Sequence, residues 1–241
     1  MMNIRKHHRL NKGKTIILGL GTALALGNPT QAKFDGFYAG AGVGYLNQNT
    51  DIKANQNPTN RNAHVNNTHS QRGSSTAEFF FGWGKIFKAC FYGGLEGQVD
   101  FVTGGVKKIA EDTNFIYQSG RKGAGIAILG RLGYLASPYT MIYGGVGVKR
   151  VQLNYNLFEK MDRISAPFSK QSFHLLTEVG VESFLNTSKN LAFRLSYSFM
   201  PKQNLTQNTT NFPINHVYRE HGVLSVNTTE HTLKAGLVYQ F

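Results

Sequence analysis

Eight stretches of this chain alternate apolar with polar or small residues at a period of two, and they are joined in turn by long polar segments and by very short ones. Side chains on a strand point to opposite faces in succession, so each stretch is a β-strand with one apolar face. The last is the clearest. In Leu233-Lys234-Ala235-Gly236-Leu237-Val238-Tyr239-Gln240-Phe241, the odd positions make an apolar face ending on an aromatic, and Lys234, Gly236 and Gln240 fall on the other.

Taken in chain order, the first strand is Phe34 to Tyr45, with Phe37, Ala39, Ala41, Val43 and Tyr45 on one face and Gly40, Gly42 and Gly44 on the other. Strand two is Thr76 to Phe87 and strand three Phe91 to Thr103, with only Lys88 and Ala89 needed to turn between them, which makes an antiparallel hairpin. Strands four (Gly123 to Leu135) and five (Tyr139 to Gln152) are joined by Ala136-Ser137-Pro138. Strands six (Gln171 to Leu185) and seven (Asn190 to Phe199) are joined by Asn186 to Lys189. The polar connections Asn47 to Ser75, Gly104 to Lys122, Leu153 to Lys170 and Met200 to Thr228 carry neither a helical nor a strand period and are predicted to be loops.

All long connections therefore fall at one end and all short ones at the other. A soluble sandwich has no reason for that segregation, whereas a transmembrane barrel has short turns on one side and long loops on the other. The expected fold is all-β: an eight-stranded antiparallel up-and-down transmembrane β-barrel. Composition agrees: 27 glycines, 12% aromatic residues and a mean hydropathy of -0.28 exclude a bundle of apolar spanning helices but suit strands in which every second residue meets lipid.

Residues 1–32 read as an export signal. Arg5, Lys6, Arg9, Lys12 and Lys14 precede an apolar run from Thr15 to Gly27, and Thr30-Gln31-Ala32 offers small residues at a cleavage site. The barrel domain is then 33–241. Five of the 26 basic residues lie in that leader, leaving 21 against 13 acidic ones, so the mature domain is near +8 rather than +13. By these boundaries the four loops hold +6 of it. Cys90 is the single cysteine and reads as a small turn residue, so no internal disulfide exists.

Charge decides which face is inside. A basic side chain facing lipid at mid-membrane costs roughly 2 to 4 kcal/mol. Glu78, Glu96, Asp100, Arg131, Lys149, Glu178, Glu182, Arg194 and Lys234 share the face opposite the apolar one, and we expect them to form a charge network in the lumen. A turn centred on Ser188 would put Glu182 opposite Arg194, and Arg131 and Glu96 sit at similar heights on adjacent strands. Eight strands leave room only for side chains, so a plugged, salt-bridged interior is expected. Lys85 and Arg150 have outward parity but lie near the strand ends, where a long side chain reaches the headgroups.

The export signal, the opening Phe34-Asp35-Gly36-Phe37-Tyr38-Ala39-Gly40, the glycine-aromatic strands and the terminal Leu237, Tyr239 and Phe241 resemble the eight-stranded OmpA-like and Opa-type outer-membrane proteins, including bacterial surface-antigen barrels. That resemblance implies residence in a Gram-negative outer membrane with both termini periplasmic. It also implies that barrel-assembly machinery reads Leu237, Tyr239 and Phe241. No segment corresponding to the periplasmic peptidoglycan-binding domain of many OmpA-like proteins follows the last strand, so wall anchoring is not expected.

The function expected is non-enzymatic: membrane support, with four basic loops presented to lipopolysaccharide or to host surface and matrix ligands, as a monomer without cofactor. A narrow pore is the alternative. An outer-membrane lipid-modifying enzyme would need a nucleophile, and Ser172, His174 and Glu178 share a face of strand six, but that face is inward. His216, His221 and His231 are spaced irregularly and read as solvated loop histidines rather than metal ligands. Basic residues are not interleaved with stacking aromatics, so nucleic acid is not an expected partner.

Overall fold

The computed structural model describes residues 34–55, 65–88, 90–103, 107–111, 115–121, 124–159, 165–185, 190–208 and 223–241. The export signal expected at 1–32 lies outside them. The strands are β1 (Gly36–Asn55), β2 (Val65–Phe87), β3 (Phe91–Val102), β4 (Lys107–Glu111), β5 (Phe115–Arg121), β6 (Ala124–Ser137), β7 (Thr140–Glu159), β8 (Ser165–Phe184), β9 (Leu191–Asn208) and β10 (Val223–Gln240). Every pairing is antiparallel.

Eight of these close a ring, in the order β7-β6-β3-β2-β1-β10-β9-β8 and back to β7. Closure at both ends of the chain is made by β1 and β10, which pair without a break from Tyr38↔Gln240 to Asn55↔Val223. The Phe241 amide adds a bond to the Phe37 carbonyl at 3.0 Å. A closed ring leaves no unpaired edge where lipid could not satisfy it. Large apolar side chains cover the outside, with Phe37, Phe81, Ile128, Leu132 and Phe173 between 67% and 72% exposed. A continuous apolar belt of that kind marks contact with lipid rather than water. Lys85 and Arg150 lie on this outer face and are exposed.

The strands are longer than their hydrophobic alternation indicates. Most of the expected first loop is ladder, because β1 runs on to Asn55 and β2 starts at Val65. The third and fourth loops are likewise shortened by β7, β8, β9 and β10, and the second contains the β4-β5 hairpin. The physical reason is that backbone pairing carries on above the lipid, where the outer face meets water and apolar residues no longer mark it.

In this upper region the barrel divides. β6 pairs with β7 as far as Ile126↔Arg150, and β5 takes over beyond it from Arg121↔Leu153. The β8–β9 ladder ends at Thr177↔Phe199, and the β2–β3 ladder at Thr76↔Val102. Among the described residues two four-stranded halves result, β9-β10-β1-β2 and β4-β5-β7-β8, with two gaps in the ladders between them. One gap has an evident cause. Pro201 and Lys202 have no ladder partner on β10, where pairing jumps from Glu230↔Met200 to Thr228↔Gln203. A bulge bends its strand and proline lacks the donor N–H, so β9 turns away from β8 at that point. Both halves carry buried apolar side chains on the lumen side, Leu46, Met200 and Val226 on one and Val151, Leu153 and Leu176 on the other.

At the short-turn end the lumen is stoppered by an apolar cluster that includes Phe34, Phe80, Tyr92, Met141, Phe184 and Val238. The Phe34 and Phe184 rings meet at a centroid distance of 4.9 Å with their planes tilted by 56°. Cys90 sits in the turn after β2, its amide bonded to the Lys88 carbonyl at 2.8 Å, and Lys88 takes the left-handed backbone such a turn requires, φ 50°.

Candidate functional site: a tiered charge network in the lumen

Above the apolar stopper the inward charges form three tiers. In the lowest, Arg131 from β6 and Arg194 from β9 share two carboxylates. Arg131 Nη1 donates to Glu96 Oε2 at 2.8 Å and its Nη2 to Glu182 Oε2 at 3.2 Å. Arg194 Nη1 reaches both Glu96 oxygens at 3.0 and 2.9 Å, and its Nε donates to Glu182 Oε2 at 3.0 Å. Glu182 stands directly opposite Arg194 in the β8–β9 register, and Glu96 lies diagonal to Arg131, whose own partner is Gly94. All four residues are at most 2% exposed.

Two like-charged guanidinium groups tolerate this closeness because each has aromatic cover as well as counter-charge. Arg131 lies over the Tyr143 ring at 3.8 Å and Arg194 over Phe80 at 3.9 Å. Tyr38 donates to Glu96 Oε2 at 2.7 Å and accepts from Arg131 at 2.8 Å. With two bases and two acids, the tier is neutral, and its planar forks match the carboxylates.

The middle tier holds one cation between two acids. Lys234 Nζ donates to Glu178 Oε2 at 2.6 Å and to Glu78 Oε2 at 2.8 Å. Gln98 joins it to the tier below, donating to Glu96 Oε1 at 2.9 Å and Glu178 Oε2 at 3.3 Å, and Tyr143 donates to Glu178 Oε1 at 2.9 Å. In the upper tier Asp100 accepts contacts from Arg121 at 2.6 Å and Lys149 at 3.0 Å, and Glu230 lies 3.7 Å from Arg121.

The structure thus places all nine inward charges read from the sequence in contact with an opposite charge. Two further members, Arg121 and Glu230, were not in that set. Arg121 falls in a segment that reads as loop and reaches the lumen only because β5 extends the wall above β6. Glu230 did carry a signal: it shares parity with Lys234 and Thr232, one strand-step further back.

The candidate nucleophile set does not assemble. Ser172 Oγ and His174 Nε2 touch, but Glu178 is four residues along the same strand, about 13 Å away at strand rise. Its carboxylate is engaged by Lys234, Tyr143 and Gln98. His231 is hydrogen-bonded to the Tyr197 hydroxyl at 2.5 Å, with the Phe199 ring 5.0 Å away; His216 and His221 lie outside the described residues. Leu237, Tyr239 and Phe241 all face outward, and the last two rings meet edge to face at 5.2 Å.

A family model described as "Outer membrane protein beta-barrel domain" matches residues 16–241. A search of curated proteins finds no match. Among solved structures, the outer membrane protein OprG of Pseudomonas aeruginosa aligns over 87% of this chain and 98% of its own, at 13% identity and a TM-score of 0.53. Ail, the attachment invasion locus protein of Yersinia pestis, covers 85% and 99% at 11% identity and a TM-score of 0.39. The outer membrane protease OmpT of Escherichia coli covers 89% and 100% at 10% identity and 0.45.

Proposed function

The chain belongs to the outer membrane protein β-barrel family, and on that footing we propose that it is a plugged, non-enzymatic monomer that supports the Gram-negative outer membrane and presents its long end to surface and host ligands. The finer likeness to OmpA-like and Opa-type barrels is part of this reading, as is the orientation, with both termini in the periplasm. The observation that carries it is the filled lumen: an apolar stopper topped by three tiers of paired charge, with Arg131 and Arg194 each 2% exposed, leaves side chains where a pore would need water. The occupied Glu178 carboxylate supports the absence of lipid-modifying chemistry at Ser172 and His174. The basic balance of the long end suits lipopolysaccharide phosphates and anionic host surfaces.

Deleting the connections 56–64, 160–164 and 209–222 singly tests the surface role. At least one deletion is expected to reduce binding to host cells or matrix while leaving outer-membrane integrity intact. Unchanged adhesion in all three would reduce the role to membrane support. We further propose that barrel-assembly machinery reads Leu237, Tyr239 and Phe241. Deletion of Phe241 is then expected to lower the yield of folded barrel in the outer membrane more than any loop deletion, and an equal yield would remove that assignment.

A further inference from the structure

The apolar belt carries a trough whose course is set by the sheet register. Tyr92↔Gly133, Gly133↔Tyr143, Tyr143↔Gly180 and Gly180↔Ser196 pair in succession, so their backbones form one continuous line across β3, β6, β7, β8 and β9. These residues have inward parity, and the outward side chains on either side of the line stand up as two walls. Phe91, Tyr134, Ile142, Val181 and Leu195 make the wall nearer the short turns. The opposite wall has Leu132, Val179 and Tyr197, and it is left low where Gly93 and Gly144 stand in the same row. A Cβ at Gly144 would have only the Glu178 carbonyl nearby, at 3.9 Å. The groove holds about 850 Å³ between apolar side chains, a size within the roughly 300 to 1,000 Å³ of small-molecule sites.

The trough climbs through the membrane. Tyr92 is the second residue of β3 and Ser196 the sixth of β9, and both strands start at the short-turn end. Four residues of strand rise, about 13 Å, therefore separate its two ends in depth along the strands, while it crosses about 19 Å of sheet. Its low end is closed by aromatic rings. Phe87 lies over Gly93, with a ring carbon 3.1 Å from where a Cβ would stand there, and stacks on Phe91 at 6.2 Å, which meets Tyr134 at 5.8 Å. Two exposed cations flank this end: Lys85, opposite Gly93 in the β2–β3 ladder, and Lys88, directly after Phe87. One exposed acid, Asp35, is near them and accepts from the Ile86 amide.

We infer that this trough seats an acyl chain of one anionic phospholipid from the leaflet at the short-turn end, with the headgroup phosphate on Lys85 and Lys88. Depth and charge select the occupant together. The cations stand where the trough meets the membrane edge, and the apolar part runs from there toward mid-membrane, which is the layout of a phospholipid. Lysines beside an anionic leaflet contribute roughly 1 kcal/mol each, while the trough supplies the contacts that ordinary lipid-facing surface lacks. A second copy fits less well: a two-fold axis along the membrane normal would set Lys85 and Lys88 against themselves at one height. The inference gives the membrane-support reading a specific lipid, and rests on it only in assigning the short turns to the periplasmic leaflet.

The test uses the full chain in micelles containing phosphatidylglycerol and phosphatidylethanolamine with identical acyl chains, read by native mass spectrometry. One phosphatidylglycerol is expected to stay on each barrel in preference to phosphatidylethanolamine, and high salt should weaken that preference. Replacing Lys85 and Lys88 together by glutamine should lower its retention about tenfold. Gly144→Leu fills the trough from its low wall without meeting backbone, so retention should fall at least as far. Both variants should keep the folded barrel's mobility on mild-detergent gels. Equal retention of the two lipids overturns the inference, as does phosphatidylglycerol retention that survives either variant. A dimer mass that Gly144→Leu abolishes would give the trough to a second copy and also overturn it. Neither leaflet orientation nor host ligand enters this assay, so its failure leaves the membrane-support and adhesion readings standing, and their loss leaves the lipid result standing.

Discussion

Replacing Glu96 by leucine is expected to destabilise the folded barrel by about 3 to 5 kcal/mol. Glu96 is the one acid that binds both Arg131 and Arg194 through short contacts while also accepting from Tyr38 and Gln98. Its removal leaves two guanidinium groups, each 2% exposed, with Glu182 as their only remaining carboxylate in that tier. Neither arginine can swing to water, because the apolar stopper lies below and the Lys234 tier above. Breaking a buried pair by deleting one partner is costly since a charge is left uncompensated in a medium of low polarity. Glu96→Gln retains the shape and some of the hydrogen bonds, so a smaller loss is expected. Denaturant unfolding in micelles measures both. A loss below about 1 kcal/mol for Glu96→Leu would mean that the arginines are hydrated, and hence that the lumen is wet.

The second large effect concerns closure. Gly42 and Gly236 face each other across the β1–β10 ladder, on the lumen side. A Cβ at Gly236 would stand 2.7 Å from the Ala41 carbonyl oxygen and 3.1 Å from the Gly42 Cα. Those are backbone atoms within an unbroken ladder, so no side chain can move to make room. Gly236→Val therefore has to push the first and last strands apart where both cross the lipid, and each N–H or C=O stripped of its partner there costs several kcal/mol. Folded, heat-modifiable barrel is expected to be nearly lost on mild-detergent gels. The control, Gly144→Ala on the outer face, has only the Glu178 carbonyl at 3.9 Å nearby and should fold normally. Equal folding of the two variants would show that the ladder at Gly236 is slack.

The faces of the strands were legible in the sequence because two independent penalties act on them. Lipid rejects charge on one side, and a narrow lumen rejects bulk on the other, so the parity of Arg131, Lys149, Arg194 and Lys234 reads directly as orientation. Glu182 and Arg194 could be matched across a short turn, since such a turn leaves little freedom in register. The stacking of the charges into tiers could not be read, because the relative heights of strands joined by long connections depend on the stagger of the whole barrel. Above the lipid the signal vanished altogether. Val65 to Ser75 pairs as regularly as any other part of β2, yet apart from Val65 its residues are polar or glycine at odd and even positions alike, so the hydrophobic period that reveals a strand is missing. Arg121 was hidden for the same reason.

Single-channel recording across a planar bilayer tests the plugged barrel most directly. With the apolar stopper and the paired charges of Arg131, Arg194, Glu96 and Glu182 in place, the inserted protein is expected to give no resolved conductance steps. Stable, well-defined open levels from the unmodified protein would contradict it.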